Sequence, residues 1–483
     1  MVTSLNLKWF YSLSFIFLAI LIAGIVNEFY WILLLPVVLL IVWMAFYRLD
    51  TLMLLTVFFT PFSINLQKTG LGIGVSLPVE PLIFLMMIIF ILKIISEGNF
   101  DRKIITHPVS IIILLHLVWM CIATAFSSIP LVSVKATLAR ICFVAVYYFL
   151  ATQLFRNFKN IKKFIWLYAI SLIAVIIYTL FNHAAHLWTE KASHIMMNPF
   201  YNDHTAYAAA ISLFIPVILA FTADNKNTAG KRIFSLLIIV LFFTATVLSY
   251  TRAAWVGLTA ALICSFGFFF RIKTWIVISL AAGILIYVIA SWTEIIIKLE
   301  SNTEKSSTDY REHLESISNI STDASNVERV NRWLCALRMF NERPVFGWGP
   351  GTYQFQYAPF QRNDEKTYIS TNAGDRGSSH SEYLGPLCEE GFLGALLMMA
   401  IAIAVIFKNS QYIIHTQNRG GKIIAIGIVL GLTTYWVHGF LNYFLDTDKA
   451  SVPFWGFIAI LTALQAYHNQ KTTGVSGIKP TSE

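Results

Sequence analysis

His380 stands in the run Gly377-Ser378-Ser379-His380-Ser381-Glu382-Tyr383, where a long polar stretch gives way to an apolar one. A neutral imidazole titrates near physiological pH and can take a proton from a hydroxyl. Glu389 and Glu390 follow inside the apolar run, where a carboxylate can orient a histidine or pair with an arginine. Upstream, Thr251-Arg252-Ala253-Ala254-Trp255 places a guanidinium at the turn between two apolar runs. Arginine's planar fork matches phosphate oxygens in pairs, so one reading is a phosphate clamp. The plainer reading is an arginine that snorkels to the interface beside a Trp anchor. Arg329 and Arg332 are three residues apart and share one face of any helix formed there. They suit a second anion contact or an ordinary solvated face. Together these groups fit chemistry on an anionic, lipid-linked substrate at a membrane surface.

The elements that position them are membrane spans. Of 483 residues, 57% are hydrophobic and only 13% charged, against about a quarter charged in soluble domains. Apolar runs long enough to cross a bilayer recur from residues 8–26 to 451–467, including short 51–66, 134–155, 205–223, 253–270 and 274–292. The expected fold is an all-α polytopic membrane protein with about twelve to fourteen transmembrane helices. It divides into a transmembrane region 1–292, a loop insertion 293–380, C-terminal transmembrane helices 381–470 and a polar tail 471–483.

The net charge of +9 is a topology signal rather than a nucleic-acid one. Lysines and arginines crowd one set of alternate short loops, as at Arg102, Lys103, Arg156, Lys159, Lys162 and Lys163. The opposite set is sparse, with Lys68, Lys135, Lys191, Arg252 and Lys449. That bias puts both termini in the cytoplasm and the long loop outside. Within the loop, Val330, Trp333, Leu334, Leu337 and Phe340 fall at helical spacing. They predict a short amphipathic helix on the outer surface, stopped by Pro344 and followed by the turn-rich Gly347-Trp348-Gly349-Pro350-Gly351. Asp446 and Asp448 read as ordinary loop charges. The five cysteines suggest no disulfide framework. His183, His186, His194 and His204 lack a partner at zinc-site spacing, so no metal is expected. No nucleotide-binding glycine loop or serine-hydrolase elbow is present.

These blocks resemble a known family. Thr251-Arg252-Ala253-Ala254-Trp255-Val256-Gly257-Leu258 looks like the arginine motif of the O-antigen ligase and polymerase superfamily. Arg329 with Trp333, then Pro344 to Tyr353, resembles its next block, and His380-Ser381-Glu382-Tyr383-Leu384 with Glu389 and Gly391 its histidine block. The resemblance implies glycosyl transfer, in a bacterial inner membrane, from a glycan on undecaprenyl pyrophosphate to a hydroxyl of lipid A-core or of another glycan. It implies that Arg252, Arg329 and Arg332 hold the pyrophosphate, that His380, with Glu389, activates the acceptor, and that no cofactor or metal is used. Ligation is the leading expectation and polymerisation of lipid-linked repeats the alternative. The family's further arginine before the helix near Thr205 has no counterpart in residues 182–204. Lys191 takes that place there, or Arg329, Arg332 or Arg140 does. A small-solute or anion transporter is the reading from another class. It sits poorly with candidate residues at the surface rather than the midplane.

Overall fold

The computed structural model describes residues 7–66, 74–98, 100–223, 228–270, 324–366, 370 and 377–469, with the single residues 276, 279 and 283. The protein is an all-α polytopic membrane protein. Among the described residues, eleven helical segments are long and apolar enough to cross a membrane, and Ser14–Val26 and Leu49–Phe62 are shorter apolar helices. Most of the expected span 274–292, the polar residues 293–323 and the tail 471–483 lie outside the described residues.

The chain divides into two compact units, Met1–Leu55 and Thr56–Glu483. The first holds α1 (Leu7–Val26), a tight turn at Tyr30–Leu34 that continues into α2 (Leu35–Tyr47), and the start of α3 (Leu49–Phe59). In the second, two residues of β1 (Ile64–Asn65) pair antiparallel with β2 (Ser76–Leu77). Then come α4 (Val79–Glu97), α5 (Pro108–Ala125), α6 (Pro130–Val144), α7 (Phe158–Ala185), α8 (His204–Thr222), α9 (Ala229–Leu248) and α10 (Arg252–Phe269). The last four are α11 (Ala324–Glu342), α12 (Leu384–His415), α13 (Arg419–His438) and α14 (Asp448–Tyr467).

The centre of the second unit is α14, buried almost throughout, with α8 close behind. Both are apolar all round, as a helix enclosed by other helices must be. Small residues set the close approaches. A Cβ on Gly431 would meet the Leu213 carbonyl oxygen at 2.4 Å, and one on Gly257 the Thr434 oxygen at 2.7 Å. α8, α10 and α13 therefore touch backbone to backbone, which fixes their ends relative to one another.

Two acidic groups depart from the sequence reading. Asp446 accepts from the buried Arg140 at 2.9 Å. Asp448 is 1% exposed and bonded to the Ser63 hydroxyl. Neither is an ordinary loop charge, because each satisfies a polar group that α6 or the α3–β1 turn would otherwise leave unpaired. The amphipathic helix α11 also differs. It packs on α12, and its closely packed residues are Cys335, Ala336 and Met339, joined by Trp348, Tyr353, Tyr357 and Cys388. Of the expected stripe, Val330 is buried, while Trp333, Leu334, Leu337 and Phe340 are only half-buried. All five cysteines are free.

Candidate functional site

Four helix ends meet on one face. Asp203 caps α8, its carboxylate accepting from the Thr205 N–H at 2.7 Å and the Ala206 N–H at 2.8 Å. The Thr251 hydroxyl, at the start of α10, donates to the His204 carbonyl oxygen at 3.3 Å. This brings the first turn of α10, with Arg252, beside the first turn of α8. The Thr251 side chain makes no capping hydrogen bond to α10, so first-turn amides and the positive end of the helix dipole point to the same face. His438 ends α13 there, buried, and the chain enters α12 through His380.

α11 lies across these ends. Arg329 acts electrostatically on His204, His380 and His438, and Asp203 on the same three histidines. Arg332 is buried; its Nε donates to Glu328 at 2.7 Å and its guanidinium stacks over the Tyr357 ring at 4.2 Å. Gly377 lies close beside it, where a Cβ would displace the Arg332 guanidinium. The Trp333 indole donates to the His380 carbonyl oxygen at 3.3 Å, which ties α11 to the histidine's own backbone. His380 has φ 49°, a left-handed conformation uncommon for a non-glycine residue. Such backbone positions cluster at functional sites.

Burial, then the positive charges of Arg329 and Arg332, push the His380 imidazole down to about 4 from its ordinary 6.5. It is therefore neutral at physiological pH, which is the form that can accept a proton. Glu382, two residues on, is pushed up to about 7 by burial, against the hydrogen bonds it accepts. Its carboxylate takes the Tyr435 hydroxyl at 2.8 Å and the Phe444 and Leu445 N–H groups at 2.6 and 2.9 Å. Glu382 thus holds the α13–α14 turn against the strand of chain that carries His380.

Glu389 lies elsewhere. The sequence reading has it orient His380 or pair with an arginine; in the structure its two oxygens accept from the Gly351 N–H at 3.0 Å and the Tyr353 N–H at 2.9 Å. Its own carbonyl oxygen accepts from Gly349 N–H at 2.8 Å. Gly391 makes this docking possible. It breaks α12 with φ 74° and ψ −172°, a region open essentially to glycine alone. Glu390 instead pairs with His116 at 2.9 Å. Glu389→Gln presents an NH2 to one of two backbone donors, a loss of about 1–3 kcal/mol for a buried group left unsatisfied. The expected result is a lowered Tm with a parallel loss of activity, and an unchanged pH profile for the activity that remains. A shifted profile at unchanged Tm would show that Glu389 takes part in proton transfer.

Lys191 is exposed on the four-residue helix Glu190–Ser193. The residue this loop lays against the site is His194, whose ring stacks on His204 at 4.2 Å. The described residues hold no group of three His, Cys, Asp or Glu side chains placed to bind a metal.

Residues 237–399 match the family model described as O-Antigen ligase. This block of the chain is similar to the O-antigen ligase domain. No curated protein matches it significantly. The matched block contains Arg252, Arg329, Arg332, His380 and Glu389. The similarity points to O-antigen ligase or related polymerase activity in lipopolysaccharide synthesis, which in that family is carried out by glycosyltransferase-like enzymes. Sequence reasoning passed over Glu328 and His438, and quoted Glu382 only as part of the histidine block, without a role. Asp203 carried a signal in Asn202-Asp203-His204-Thr205, which resembles the family before a helix and opens that helix with a capping residue.

Proposed function

We propose that this chain transfers a glycan from undecaprenyl pyrophosphate to an acceptor hydroxyl, with O-antigen ligation to lipid A-core as the leading reaction. The observation that carries the reading is the meeting of Arg329 and Arg332 with a neutral His380 over the first turns of α8 and α10. In this reading His380 takes the proton of the acceptor hydroxyl as its oxygen bonds to the anomeric carbon. The bond from that carbon to the pyrophosphate oxygen breaks, and undecaprenyl pyrophosphate leaves as an anion. Arg252, Arg329 and Arg332 stabilise the charge that develops on it, as oriented donors in a site of low dielectric do. Guanidinium groups supply this charge in place of a metal. The reaction face is the one that bears the long loop, which charge bias puts outside the cytoplasm, and the family resemblance implies that the membrane is a bacterial inner one.

The deciding experiment uses purified protein in liposomes with a lipid-linked oligosaccharide repeat, with and without lipid A-core. Product only with lipid A-core supports ligation, and elongation of the repeat alone makes the chain a polymerase. No product in either, with intact donor, overturns the assignment. Arg252 supplies a narrower check. Arg252→Lys keeps the charge but loses the two-pronged contact. Transfer should fall at least about tenfold, the scale of a hydrogen bond to a charged group. Full activity in that variant would leave Arg252 as an interface anchor.

A further inference from the structure

We infer that a polar cavity beside the histidine–arginine cluster is a sugar subsite, taking one neutral substituent of the glycan next to the pyrophosphate. The inference rests on the glycosyl-transfer reading above. The cavity is bounded by β1, β2, the approach to α8 and the α13–α14 turn. Its polar walls come from Asn65, Ser76, Asn202, Asp203, Asp448 and Lys449, and its aromatic ones from Phe200, Tyr201, Tyr435 and Phe444. Aromatic surfaces with a few placed polar groups suit a ring that has apolar C–H faces and a hydroxyl rim.

Two links join the cavity to the reacting groups. Asp203 lines it and acts on His380, and Tyr435 lines it and donates to Glu382, two residues from His380. A sugar whose anomeric carbon lies near His380 therefore has an edge at this cavity. Its size, about 80 Å³, is small beside the roughly 300–1,000 Å³ of a pocket that encloses a whole ligand. It suits one substituent of a sugar ring rather than an oligosaccharide. The charge of the walls narrows the class. Lys449 is engaged by the Ser63 carbonyl oxygen at 2.8 Å and the Ser63 hydroxyl at 2.6 Å, and Asp203 and Asp448 add two carboxylates. An anionic substituent is disfavoured there.

The cavity's lining lies wholly outside residues 237–399. The family block thus supplies the arginines and the histidine, while other segments of this chain meet the sugar. Selectivity among glycans can vary there without disturbing the reacting groups.

The test compares two probes on protein in nanodiscs: an undecaprenyl-pyrophosphate-linked oligosaccharide repeat and glycan-free undecaprenyl pyrophosphate. Asn202→Ala alters an exposed residue at the cavity mouth, and Ala210→Leu fills the cavity from α8. Each should raise the ratio of the glycan-linked to the glycan-free Kd about tenfold, equivalent to about 1.4 kcal/mol. An unchanged ratio in Asn202→Ala, which leaves the core intact, overturns the subsite, whatever Ala210→Leu does. Wild-type protein that binds neither probe overturns the transfer reading and the subsite with it. Wild-type binding of both with an unmoved ratio sinks the subsite alone.

Discussion

His380→Ala abolishes glycan transfer and leaves the protein folded in the membrane. Loss of a general base costs typically 10²- to 10⁴-fold in rate, and the carboxylates of the nearby chain are engaged elsewhere. Glu389 is bound to the 351–353 backbone and Glu382 to the α13–α14 turn. The fold tolerates the change because the main attachments of this residue are through its backbone. The His380 carbonyl oxygen accepts from Trp333 and its N–H donates to the Ser378 hydroxyl, and both survive in alanine. The left-handed φ of 49° costs alanine roughly 1–2 kcal/mol. His380→Asn removes the base while suiting that backbone better, since asparagine enters the left-handed region more readily. Both variants should lose transfer equally in single-turnover assays, with Asn the nearer to wild type in Tm. A variant of either kind that keeps more than about a tenth of the wild-type rate places the proton elsewhere.

The fold class was legible because a span is a local property. Eighteen consecutive apolar residues declare themselves without reference to anything distant, and the helices at His204–Thr222 and Arg252–Phe269 fall within a few residues of the apolar runs that predict them. The arginine and histidine blocks were legible through the family resemblance. What joins them was not. Glu328 reads as one acidic residue in a polar segment until the helix turns it onto Arg332. His438 reads as a helix-end histidine until α8 and α11 bring Asp203 and Arg329 within its reach. Glu389 misled for the same reason. A carboxylate in the apolar run after His380 reads as a partner for that histidine or for an arginine, but the break at Gly391 turns that stretch towards the Gly347–Gly351 turns. The amphipathic stripe of α11 was misplaced because Cys335, Ala336 and Met339 carry less hydrophobic weight than Trp333 or Leu337. Small residues pack closely against α12, and spacing alone does not distinguish close packing from general apolarity.

Arg329→Ala is expected to lower transfer by about 10²- to 10³-fold, the scale of removing one oriented donor from a developing anion, and to move the pH dependence in a stated direction. In the free enzyme the His380 imidazole is held near 4 first by burial and next by Arg329. A base is active when neutral, so the acid limb of kcat/KM, which reports the free enzyme, should lie near pH 4 rather than near 6.5. Removing Arg329 deletes a positive charge that opposes protonation. The imidazole then rises towards its ordinary value, and the acid limb of kcat/KM moves to higher pH. Burial and Arg332 remain, so the limb stays below 6.5. A bound pyrophosphate acts in the same direction as the substitution, since its negative charge favours the imidazolium. In the wild type, the acid limb of kcat, which reports the complex, should therefore lie above that of kcat/KM. The measurement is a pair of pH–rate profiles for wild type and Arg329→Ala, from pH 4 upward in liposomes. A purely structural role for Arg329 lowers both profiles without moving either limb. A limb that moves to lower pH would contradict the placement of Arg329 beside His380.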